Sequence, residues 1–236
     1  MTHDLTTPTS FGAELTGLAE LVAALRHRAE LPGVLIRLDS ELGTNAEALG
    51  SHCSRTARID LGAELLQEPA SRALYGTIAH EIAHHALDHG QAALVRHYRA
   101  GLAKTGLLVG LALRLPFAVL VALAFLALVA HLAAARAARL EEYDADTYAV
   151  RLLDAVGLPG RRIVAAALAD LPAESAGYLL AGWMFGSHPT PRARRRTLAS
   201  GRPARRMRWA LLWQHTAAPA TARYGLAAAS RTGEGQ

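Results

Sequence analysis

His80-Glu81-Ile82-Ala83-His84 sets two imidazoles and a carboxylate in an H-E-x-x-H spacing within helix-forming sequence. Histidines four apart lie on one helix face, so both rings can reach a single zinc ion. Glu81 then projects beside the metal, where a carboxylate can take a proton from water that the metal polarises. Ala73 to Leu87 supplies the scaffold, with helix formers throughout and only Gly76 against it. His85 and His89 are also four apart, but Ala86 stands where the catalytic carboxylate would be needed. That pair could hold a metal without doing the same chemistry, and we read both residues as solvated or as supports behind a ligand. Asp88, one turn after His84, reads as a helix-surface pairing residue.

A catalytic zinc takes three protein ligands and leaves a fourth position for water. The downstream stretch Leu140-Glu141-Glu142-Tyr143-Asp144-Ala145-Asp146 offers the third. It is helical by pattern, with Leu140, Ala145, Ala149, Leu152 and Leu153 available to face a core. Glu142 and Asp146 are four apart and share a face. One carboxylate can bind the metal while the other accepts the second N–H of a ligand histidine, fixing its tautomer.

Taken together these stretches resemble the HtpX and CaaX prenyl protease family of membrane-associated zinc metallopeptidases. That family completes its H-E-x-x-H helix with the Glu of an E-x-x-A-D sequence, matched by Glu142-Tyr143-Asp144-Ala145-Asp146. A later His-Pro followed by Arg is matched by Ser187-His188-Pro189 and the arginines after it, and Asn45-Ala46-Glu47-Ala48 is similar to the family's N-A-x-A stretch. The resemblance runs from about Val34 to Leu198. It implies a mainly α (α+β) fold with a zincin-like metalloprotease core and a small β-sheet, to which the sequence itself adds an apolar helical hairpin associated with the membrane. It also implies Zn2+ as cofactor, held by His80, His84 and Glu142, with Glu81 as general base and Asp146 supporting a ligand. His188 is expected to donate a hydrogen bond to the oxyanion, and Arg194 to hold the His188 loop against the carboxylate-bearing helix. A strand edge at Asn45 and Ala46 is expected to bind the extended substrate backbone.

These residues must be positioned by a chain of 236 residues, 51% of them hydrophobic, with a net charge of +5. That length suits one domain with a short appendage. We divide it into an N-terminal helical segment (1–33), a core with the zinc helix (34–104), a membrane hairpin or apolar helix (105–135), the second half of the catalytic domain (136–214) and a disordered tail (215–236). Leu15 to Arg28 reads as an amphipathic helix, Val34–Leu38 and Ala57–Leu61 as strands with a loop between, and Pro159–Leu171 as a further helix. Cys53 is the single cysteine, which excludes an intrachain disulfide, and it is expected to be a buried thiol. Residues 1–30 lack the basic start and apolar run of a signal peptide.

Leu115 to Ala135 is 21 residues without Asp, Glu, Lys or Arg, enough to cross a hydrocarbon core of about 30 Å. Two ligands precede this segment and the third follows it. A single crossing would divide the zinc site between the two sides of the bilayer, so the segment must return as a hairpin or never cross. Arg114-Leu115-Pro116 is the natural turn. Arg96, Arg99 and Lys104 flank one end and Arg136 and Arg139 the other, which by the positive-inside rule places both at the cytoplasmic face.

The reading is a zinc endopeptidase at the cytoplasmic face of the cell membrane, with protein or peptide substrate and membrane lipid as partners. Nucleic acid is not expected, and the oligomeric state is open. Two alternatives stand beside it. One is a soluble or peripheral zinc protease of the repressor-cleaving type. The other is a non-enzymatic binder of lipid or nucleic acid through the basic residues between Arg192 and Arg208, where Arg205 to Trp213 also suits an anionic membrane surface.

Overall fold

The computed structural model describes residues 10–50, 57–171 and 188–201. Helix α1 (Ser10–Arg28) leads into a mixed sheet of β1 (Leu35–Asp39), β2 (Ala46–Leu49) and β3 (Arg58–Gly62), in the order β1-β3-β2. Central β3 runs parallel to β1 and antiparallel to β2. Its alternation sets the layers. Ile59 and Leu61 are buried in the core, whereas Asp60 is directed to the other face, 3.2 Å from Arg37 and 3.1 Å from Arg58. The expected loop between two strands thus contains a third one. Ala46-Glu47-Ala48-Leu49 has little strand preference of its own, and pairing with β3 supplies what propensity does not.

The zinc helix of the sequence reading is α2 (Arg72–Ala86), opened by Ser71, whose hydroxyl accepts the Leu74 N–H at 3.1 Å. Leu74, Ile78 and Ile82, spaced four apart, form its fully buried stripe. Gly76, unfavourable in a helix, is explained by packing. A Cβ there would lie 2.7 Å from the Ala167 Cβ and 2.8 Å from the Ile163 carbonyl, so its absence lets α5 (Gly160–Asp170) cross closely over α2. α2 stops where Asp88 takes a left-handed φ of 54°, a conformation Asp tolerates better than most residues. The last described helix, α6 (Pro191–Ser200), has Thr190 as its cap, Pro191 in its first turn and left-handed Gly201 at its end.

Between them, α3 (His89–Ala112) and α4 (Phe117–Ala155) form an antiparallel hairpin. α3 ends in a Schellman arrangement: the Arg114 N–H donates to the Leu111 carbonyl at 3.1 Å and the Leu115 N–H to the Gly110 carbonyl at 3.0 Å, with Arg114 at φ 52°. Pro116 follows and prevents continuation. The arms meet closely at Gly110, where a Cβ would stand 2.9 Å from Leu123. Around this contact the apolar side chains face outward. Phe117 is 82% exposed and Phe125 67%, with Leu108, Leu111, Leu126 and Val129 also exposed.

α4 is one unbroken helix of 39 residues, about 58 Å long. The apolar arm and the third-ligand helix, read separately from the sequence, are its two ends. Ala133 to Leu140 holds helix formers and no breaker, so the change from apolar to charged composition marks a change of surroundings within one element. The C-terminal half buries Ala145, Ala149, Leu152 and Leu153 in the core. Cys53, Ser187, the basic stretch Arg205 to Trp213 and the tail lie outside the described residues.

Candidate active site

α2 and α4 cross so that His80, His84 and Glu142 converge, with one ligand atom from each within 4.8 Å of the others. The Nε2 atoms of His80 and His84 are 3.0 Å apart. Glu142 lies 3.3 Å from the first through Oε2 and 3.7 Å from the second through Oε1. A tetrahedral zinc with bonds near 2.1 Å separates its ligand atoms by about 3.4 Å. Spacing and donor set therefore fit zinc.

Behind the ligands, the Asp146 carboxylate lies 3.1 Å from His80 Nδ1, which leaves Nε2 facing the cluster. Arg194 of α6 forks onto Asp146 at 2.8 and 2.6 Å and reaches Glu142 at 2.9 Å. Among Arg192, Arg194, Arg195 and Arg196, Arg194 is the one buried. His188 Nδ1 is 3.0 Å from Glu142 Oε1, with its ring largely exposed. His84 Nδ1 meets His89 Nδ1 at 2.9 Å.

Glu81 is buried, with the Ala48 backbone N–H facing its carboxylate. Burial, helped by the charge of Glu142 and opposed by His80, Arg194 and that N–H, pushes the Glu81 carboxyl up to about 7. Burial and Arg194 push His80 down, but its hydrogen bonds to Asp146 and Glu142 outweigh them and raise it to about 9. Burial and the charge of His80 hold His84 well below its ordinary value. Burial pushes both carboxyls up, but the bond from His188 leads the set that holds Glu142 well below the carboxylate range, and the bond from Arg194 does so for Asp146.

The remaining sequence candidates fall beside the cluster. Asn45 gives its carbonyl to the Gly62 N–H at 2.8 Å, so it belongs to the sheet ladder, while Ala46 opens β2. Residues alternate along a strand, so Ala46 shares with Ala48 the edge that faces Glu81. Ala48 was not singled out in the sequence, although its spacing from Ala46 carries that signal. His85 is neither solvated nor at the metal cluster. It is 2% exposed, and its Nε2–H donates to the Arg58 carbonyl at 2.9 Å, tying α2 to β3. Arg96, read as a flanking charge, makes a two-pronged ion pair with buried Glu141, a partner the sequence did not reveal.

Residues 14–201 match Peptidase family M48. Searches of curated proteins and of solved structures return no match. With four-fifths of its length in that match and an H-E-x-x-H helix completed by Glu142, the chain belongs to peptidase family M48 and is a zinc metallopeptidase.

Proposed function

We propose that the protein is an endopeptidase of the HtpX and CaaX prenyl protease type, working at the cytoplasmic face of the cell membrane. His80, His84 and Glu142 would hold Zn2+, which when bound polarises water and the scissile carbonyl. Glu81, buried beside the three ligands, takes the proton of the attacking water and passes it to the leaving amine. Asp146 fixes the His80 tautomer, and Arg194 holds Asp146 and Glu142 in place. His188 donates a hydrogen bond to the carbonyl oxygen as it gains charge. The edge of β2 at Ala46 and Ala48 receives the extended substrate backbone, with Asn45 anchoring that strand to β3.

The observation that carries the reading is α4 itself, which brings the third ligand back beside the first two after a long apolar arm. Outward-facing Phe117, Phe125, Leu108 and Leu126 suit lipid, and a tip inserted in the bilayer avoids exposing them to water. Glu142 lies seven residues beyond Ala135, so the site stands about 10 Å past the end of the apolar stretch.

Single cysteines at Gln91 and Arg136, in a Cys53→Ser background, test the orientation in intact cells and inverted vesicles. Both are expected to react with a membrane-impermeant thiol reagent only in the vesicles, with the protein resisting carbonate extraction. Release by carbonate, or labelling of either site in intact cells, would contradict the membrane reading.

A further inference from the structure

We propose that His89 and Arg96, on one face of α3, are positioning residues for two of the metal ligands, so that the first arm of the hairpin sets the geometry of the zinc site. They are seven residues apart, two helical turns, and therefore project from the same side. His89 meets the outer nitrogen of His84, and Arg96 grips Glu141, the neighbour of Glu142. α4 packs against both α2 and α3, with Glu142 turned to the first and Glu141 to the second.

Each contact has a defined physical task. When His84 presents Nε2 to a metal, its Nδ1 carries the proton, and His89 Nδ1 is the acceptor 2.9 Å away. The left-handed turn at Asp88 brings His89 back over His84. Arg96 acts on rotation. Glu141 is 4% exposed and its carboxylate needs a cation there, so the pair sets α4 about its axis and with it the direction of Glu142.

This rests on the zinc reading, and the full-length detergent-solubilised protein tests both. Zinc dissociation constants are measured by chelator competition, and the cobalt-substituted absorption spectrum reports ligand geometry. His89→Asn keeps an acceptor near the Nδ1 position, whereas His89→Gln places it near Nε2. We expect the Gln variant to lose about 10–100-fold in zinc affinity with an altered cobalt spectrum, and the Asn variant to stay within a few-fold of wild type. Arg96→Leu is expected to weaken zinc about tenfold, and the swap Arg96→Glu with Glu141→Arg to restore it. If Arg96→Leu does not fold, the Asn/Gln contrast at His89 and the swap still decide, and if a His89 variant does not fold, the swap decides. Zinc affinities and cobalt spectra equal to wild type in His89→Gln, or no recovery in the swap, would overturn the proposal while leaving the zinc site standing. A wild-type protein that binds no zinc would overturn both.

Discussion

Glu81→Gln is expected to lower kcat/KM by about 10²–10⁴ while zinc stays bound, because in the proposed mechanism it removes the proton acceptor and no ligand. The same change is expected to stabilise the metal-free protein. A carboxyl raised from 4.5 to about 7 by burial binds its proton more tightly in the folded state, so its effect on stability is unfavourable above pH 7 and vanishes below pH 4.5. Glutamine carries no charge at any pH. Thermal unfolding should therefore show a gain on the order of 2 kcal/mol at pH 8 and little difference at pH 4. In the loaded enzyme the divalent charge lowers the Glu81 value, so the acid limb of kcat/KM should fall at or below pH 7. An active Glu81→Gln enzyme would remove Glu81 from the chemistry.

Arg194→Leu is expected to be the most damaging change to stability, at about 3–5 kcal/mol near neutral pH. It leaves Asp146 and Glu142 buried without the guanidinium that contacts both. Both carboxyls are held below their ordinary values of 3.8 and 4.5, so the stability they gain is full above about pH 4.5 and is lost as they protonate at lower pH. The gap between wild type and variant should therefore narrow under acid. Arg195→Leu, at an exposed neighbour, should change stability by less than about 0.5 kcal/mol. Equal effects of the two substitutions would show that Arg194 does not have the role its contacts give it.

The parts of the site legible in the sequence are those fixed by one helix. His80 with His84, and Glu142 with Asp146, are each four apart, and that spacing sets a shared face whatever surrounds it. The hairpin turn was legible for a similar reason, since Arg114-Leu115-Pro116 interrupts an apolar run. Contacts between elements were not. Arg96 reads as one of several basic residues until α3 lies against α4 and Glu141 appears beside it. His85 looks like a polar residue on the ligand helix until β3 offers a carbonyl to its ring. Gly76 reads as a flaw in α2 until α5 crosses there. β2 was hidden because its alanines form a strand only when a partner edge supplies the hydrogen bonds.

Whether His80, His84 and Glu142 hold zinc is decided by metal content. Plasma mass spectrometry on detergent-purified wild type and Glu142→Ala, each folded by circular dichroism, should find about one zinc per chain in the first and little in the second. Zinc retained undiminished in Glu142→Ala, or absent from folded wild type, would contradict the three-ligand site from which the account is built.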